Sequence, residues 1–158
     1  MNGNFYLVFS VGGRKYALPA VDIVIVSLAA ELTNAPDGLA LVRGIANVGG
    51  EAAAVADLRA PDGPPFPKME LSDRFVFFRD RGILWGVLAE EVEGTALLAP
   101  GKIVSRPEKD GPGEIFEVAF AAPGEAGILL RTSENILSVS DEDLALLEPL
   151  LSAGRAGE

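Results

Sequence analysis

The sequence predicts an all-β fold: two small five-stranded barrels of a duplicated pattern, closed by one short helix. Three observations carry this. Short apolar runs alternate with Gly- or Pro-rich turns along most of the chain. Gly12-Gly13 and Gly49-Gly50 each stand between two apolar runs, where a two-residue hairpin turn needs positive φ. Finally, one pattern recurs: Tyr6-Leu7-Val8-Phe9 lies over Phe75-Val76-Phe77-Phe78 at an offset of 69 residues, with Tyr16-Ala17-Leu18 over Trp85-Gly86-Val87 and Ile23 over Val92. At an offset of 74, Gly50-Glu51-Ala52 lies over Gly124-Glu125-Ala126, and Val55 over Leu129. Each half then offers about five short strands, and closing them into barrels removes exposed edges.

The elements follow in order. Tyr6–Val11 and Arg14–Leu18 form a hairpin that Pro19 ends. Ala20-Val21-Asp22 allows one helical turn, and the β-branched run Ile23–Val26 reads as a buried strand. Thr33–Gly38 is a loop broken by Pro36. Leu41–Val48 and Glu51–Leu58 are the two strands of a central hairpin. Ala60–Pro67 is a Pro-rich connector. Arg74–Arg79 pairs with Ile83–Ala89 across Asp80-Arg81-Gly82, and Val92–Leu98 is a further strand. Ser105–Glu114, rich in Pro and Gly, reads as a polar loop. Ile115–Phe120 and Gly127–Leu130 make the last hairpin. Ser140 caps a helix over about 141–148 with three acids in its first turn, and Pro149 ends or kinks it. The repeat divides the chain into subdomains of approximately 5–60 and 74–140.

Composition narrows function. The chain contains no cysteine, which excludes disulfides and thiolate metal sites and suits a reducing compartment. With no histidine either, it cannot use an imidazole base, a Ser-His-Asp triad or a histidine-ligated metal. Net charge is −10, so a nucleic-acid or anionic-membrane partner is not expected. No apolar run is long enough to span a membrane, and the N-terminal stretch lacks the basic region of a signal peptide.

At the central hairpin the chain resembles CheW, the chemotaxis coupling protein, and the CheW-like regulatory domain of the kinase CheA. The resemblance rests on Leu7-Val8-Phe9 with Gly12-Gly13, Tyr16-Ala17-Leu18-Pro19 and Ile23. It continues with Val42-x-Gly44-x-x-Asn47-x-x-Gly50, Val55-x-Asp57-Leu58-Arg59, Gly86-x-x-x-Glu90-x-Val92 and the ending Ser140–Leu147. It implies two five-stranded SH3-like barrels around a shared hydrophobic core. It also implies a non-catalytic cytoplasmic adaptor without cofactor, bridging the cytoplasmic tips of chemoreceptors to a CheA-type histidine kinase. Ile23 and Gly44 would lie near a receptor groove. Asn47, Gly49 and Gly50 would shape the hairpin tip, and Phe75 would sit on the first strand of the second half. Three positions depart from the family pattern. Gly49 replaces the turn arginine, Ala54 a proline, and Ile25 an acidic residue. The arginine's planar donor fork has no equivalent in glycine.

Simpler roles compete at each position. Asn47 beside a turn is expected to bond the backbone, and Asp57 to cap the turn that follows. Gly44 fits either a bulge or a close approach by a partner. Glu90, Glu91 and Glu93 are a tight acid cluster within a strand. They suit a solvated edge better than a calcium site or general acid–base chemistry, which with Asp57 is the basis of an alternative enzyme reading. Gly101-Lys102 fails as a phosphate loop, because Ala96 and Ile103 replace the required Gly and Ser/Thr. A module that self-associates, or keeps one partner, is the remaining alternative.

Overall fold

Glycine turns and apolar alternation give the strands. The computed structural model describes residues 4–33, 42–56, 58, 73–98, 102–108, 111–119, 127–137 and 139–156. In order these hold β1 (Asn4–Val11), β2 (Arg14–Pro19), a 3₁₀ turn (Ala20–Asp22), β3 (Ile23–Leu28), β4 (Val42–Val48) and β5 (Glu51–Ala56). There follow β6 (Arg74–Asp80), β7 (Ile83–Ala89), β8 (Glu91–Leu98), β9 (Lys102–Glu108), β10 (Gly111–Ala119), β11 (Ile128–Leu130) and α1 (Asp141–Ala156). The Ala60–Pro67 connector, Asp57 and the turn at Pro123-Gly124 lie outside the described residues.

Two sheets result. One has six strands in the order β8-β1-β2-β11-β10-β9, the other five in the order β3-β6-β7-β5-β4. Pairing is antiparallel except for β11 with β2 and β5 with β7. The expected repeat is present as topology. Phe9 faces Val92 and Ile23 faces Phe78, the same pairing seen once from each half. Both ladders shift register at that point, skipping Glu93 in β8 and Val24 in β3, two positions 69 residues apart. In the parallel pairs, Ala54 faces Trp85 and Leu129 faces Tyr16. The structural offset between β5 and β11 is therefore one residue greater than Val55 over Leu129 implies.

The expected division at residues 60 and 74 does not separate the sheets. The five-stranded sheet is one continuous stretch from β3 to β7, and the six-stranded sheet is built from the segments on either side of it. Each half lends strands to the other's sheet, because β3 pairs with β6 and β8 with β1.

The sheets curl without closing into barrels. The nearest approach is in the five-stranded sheet. There the chain beyond β3 returns to the β4 edge: the Thr33 N–H donates to the Ile45 carbonyl (2.9 Å) and the Ile45 N–H to the Thr33 carbonyl (2.8 Å). The extra strand, β9, falls where a polar loop is expected. It is an edge strand, where some backbone N–H groups point away from the neighbouring strand, so Pro107 is tolerated.

One apolar cluster joins both sheets. It brings Leu7, Phe9 and Tyr16 together with Val76, Phe78 and Trp85, and α1 adds Leu147 and Leu151. Each sheet has a second cluster on its other face, around Tyr6 and Val8 in one and around Phe75 and Phe77 in the other. Strand β7 is accordingly buried along its whole length. Burying a side chain such as Phe9 or Phe78 contributes about 1.5–3 kcal/mol. α1 opens with a reciprocal cap: the Asp143 N–H donates to Ser140 Oγ (3.1 Å) and the Ser140 N–H to Asp143 Oδ2 (3.3 Å). The helix runs through Pro149 to Ala156, past the expected end at 148. Proline removes one helical hydrogen bond, but the anchored Leu147 and Leu151 hold the turns on both sides of it.

Gly44 is buried beneath the returning chain. A Cβ there would stand 2.6 Å from Leu32 Cβ and 2.7 Å from the Thr33 carbonyl oxygen. A register shift also lies between Val42 and Gly44, so bulge and close approach coincide, and the approaching backbone is the protein's own. We therefore expect Gly44→Val to destabilise the fold by about 1–3 kcal/mol in urea unfolding. A folded variant of unchanged stability would contradict this packing.

Candidate functional site

Apart from Phe75, the candidate residues fall on the β4–β5 hairpin and on strand β3, and β3 and β4 are the two ends of the five-stranded order. At the tip, Gly49 has φ +59° and Gly50 φ +93°, the left-handed values a two-residue hairpin turn demands. Asn47 Oδ1 accepts the Gly50 N–H at 2.8 Å, so Asn47 shapes the turn as its sequence position suggests. One residue past the turn, Glu51 takes both ends of the Arg79 guanidinium at 2.7 Å each. Arg79 is on β6 and Glu51 on β5, so this fork spans β7 and ties the tip to the sheet. The hydrogen bond to Glu51 holds the Arg79 pKa above its ordinary value, with partial burial pulling the other way. A raised guanidinium pKa stabilises the fold at every pH below its unfolded value. That stability is lost only as pH climbs through the higher folded value, so neutral and mildly alkaline conditions leave it intact.

Strand β3 was expected to be a buried strand. It is instead the edge of the sheet. Ile23 is half-buried against the shared core, opposite Phe78. Val24, Ile25 and Leu28 are exposed, Leu28 to 65% and Ile25 to 45%, and Val21 stands exposed just before them. The chain after β3 meets β4 through one antiparallel bridge, Thr33–Ile45. Ile23 lies on the opposite edge strand, β3, while Asn47, Gly49 and Gly50 share the surface of the hairpin tip. Phe75 is at neither surface: its ring is buried edge-on to Phe77, with centroids 5.8 Å apart. Gly44 is likewise buried, beneath Leu32 and Thr33. Val24, Ile25, Leu28, Glu51 and Arg79 escape sequence reasoning. A continuous apolar run looks the same whether its strand is central or at an edge, and a salt bridge across an intervening strand needs the register.

The acid cluster has structural work. Glu90 Oε1 accepts the Gly12 N–H at 2.6 Å, and the Glu90 N–H donates to the Ser10 carbonyl at 2.9 Å, which pins the β7–β8 connection to the β1–β2 turn. Glu93 pairs with Lys15 at 3.0 Å. Two of the three acids are thus bound to partners in the sheet, and all three are exposed at the β8 edge, the solvated edge expected. Among the described residues, no group of acids is arranged to hold a metal ion, and no helix is long and apolar enough to cross a membrane.

A curled, duplicated pair of sheets with an uncharged edge and a rigid hairpin tip defines a β-module whose outstanding feature is a surface. Its family is shown by sequence: the CheW-like domain model matches residues 6–144, and the chain belongs to that family. Its fold is similar to the crystal structure of scaffolding protein TtCheW from Thermoanaerobacter tengcongensis. That similarity has a TM-score of 0.67 at 20% identity, covering 89% of this chain and 95% of that one. No curated protein matches the chain in sequence.

Two substitutions test the tip. Asn47→Ala should lower stability by about 0.5–1.5 kcal/mol in urea titration, the worth of one net hydrogen bond. Arg79→Ala should cost no more than about 1 kcal/mol, because both partners are partly exposed. Wild-type stability in both variants would show that neither contact holds the tip.

Proposed function

We propose that this protein is a non-catalytic chemosensory adaptor, coupling chemoreceptors to the regulatory domain of a CheA-type histidine kinase in the cytoplasm. The observation that carries the reading is the family match over residues 6–144, together with the exposed apolar side chains Val24, Ile25 and Leu28 on edge strand β3. These surfaces suit recognition: β3 offers exposed apolar side chains, and the hairpin tip is fixed by Asn47 and by the Glu51–Arg79 fork. Ile23, Asn47, Gly49 and Gly50 lie at these surfaces. Gly44 and Phe75 act from beneath them, holding the backbone in place. The enzyme alternative asks for two free carboxylates in one pocket, and the ties of Glu90 to Gly12 and of Glu93 to Lys15 weigh against it.

Calorimetric titration with the regulatory domain of the host's CheA-type kinase tests the reading. Binding in the micromolar range or tighter is expected, as for a modest interface whose strength accumulates in arrays. Absence of both heat and co-elution would overturn the kinase half of the proposal. Gly49→Arg, which restores a planar donor fork at the tip, should tighten Kd by about tenfold, the worth of one charge-assisted hydrogen bond. Unchanged or weaker binding would show that the tip does not set affinity.

A further inference from the structure

We infer that α1 is a latched lid on the shared core. It swings off β5 as one unit, pivoting at Val139, and the Arg81 guanidinium is the latch. The inference does not depend on the adaptor reading.

The first support is how lightly α1 is held. Ile136 and Leu137, just before the pivot, are buried in the shared core. Beyond them the buried anchors are Leu147 and Leu151, with Val139 and Leu144 packed at the rim. α1 packs chiefly on β5. The core-facing residues of β5 are alanines, among them Ala54 and Ala56. An alanine gives a leucine few atoms to pack against. Pro149 lies between the two anchors and removes the hydrogen bond that an N–H there would give to the Ala145 carbonyl. The helix is thus interrupted where it is attached.

The second support is an unmet donor beside the helix bed. Trp85 is fully buried on β7, opposite Ala54 of β5. Its indole Nε1 has no hydrogen-bond partner among the described residues. A buried donor left unpaired is a cost of the closed form. Water reaches the indole once α1 lifts, so opening removes part of that cost.

The third is a strained residue that reaches the pivot. Arg81 has φ +50°, at the turn position that Gly12 and Gly49 fill at +59° in the β1–β2 and β4–β5 turns. A non-glycine residue held there needs surroundings that offset the strain. Arg81 Nε donates to Asp80 Oδ2 at 3.2 Å, and Nη1 and Nη2 donate to the Val139 carbonyl at 3.5 Å each. Asp80 is buried, so a carboxylate anchors one side of the guanidinium while the other grips the pivot. The contacts to Val139 are long, a hold that can let go. The Arg81 side chain is 41% exposed, so the latch faces solvent.

Trp85 is the only tryptophan, so its indole N–H gives a single resonance to follow. In hydrogen exchange of the full chain, the α1 amides and the Trp85 indole should open together. Their opening free energy and urea dependence should fall below those of the β6 and β7 amides. Arg81→Gly should speed exchange of both by at least about threefold, the worth of a half-exposed charge contact. The Asp80 contact and the backbone at Arg81 are the same with the lid open or shut, so their loss cancels from this ratio. Should the bare Asp80 carboxylate keep that variant from folding, Asp80→Asn combined with Arg81→Gly removes both charges and should give the same acceleration. The proposal is overturned if the indole exchanges with the β7 amides at the global free energy, or if α1 frays residue by residue without it. It is equally overturned if α1 exchange is unchanged in the Arg81 variants.

Discussion

Everything in this structure depends on the exchange of third strands between its two halves. β3 leaves the first half to complete a ladder with β6, and β8 returns to complete one with β1. Without the exchange, each leading hairpin would present a row of unpaired backbone donors and acceptors, and a buried unpaired group costs as much as a lost hydrogen bond. The pairing also brings the inward residues of β1, β2, β6 and β7 onto one shared cluster, to which α1 adds its leucines. Neither sheet can therefore be complete alone.

That constraint positions the exposed edge. Because β3 is drawn across to β6, it becomes an edge, and its apolar side chains reach solvent. The chain that follows must turn back to β4, and it can do so only where Gly44 leaves room under Leu32 and Thr33. The hairpin tip beyond is then set by backbone φ at two glycines, one asparagine and one guanidinium fork. A strand edge and a pinned turn lose little conformational entropy on recognition, which suits the proposed adaptor role.

Much of this was legible in the sequence, because it rests on local chemistry. Gly-Gly turns marked two hairpins, and the offset of 69 residues paired β1 with β6, β2 with β7 and β3 with β8 as equivalents. Asn47 followed from turn preference alone. What stayed hidden depends on partners distant in the chain. Period and composition say that β3 is apolar but not which strands flank it, so its exposure could not be foreseen. The repeat says which strands are alike but not that they trade places. β9 and the full length of α1 follow from tertiary neighbours overriding Pro107 and Pro149. Glu90 looked like one of three solvated acids, and only the fold brings it to the Gly12 N–H.

The most direct measurement is native-state hydrogen exchange of the full chain in rising urea, followed amide by amide in β1, β8, β6 and β7. If the exchanged strands make one cooperative unit, the slowest amides of both sheets converge on a single opening free energy with the same urea dependence. If the six-stranded sheet opens fully while β6 and β7 stay protected, the sheets are independent and the account of a shared, strand-exchanged core is wrong.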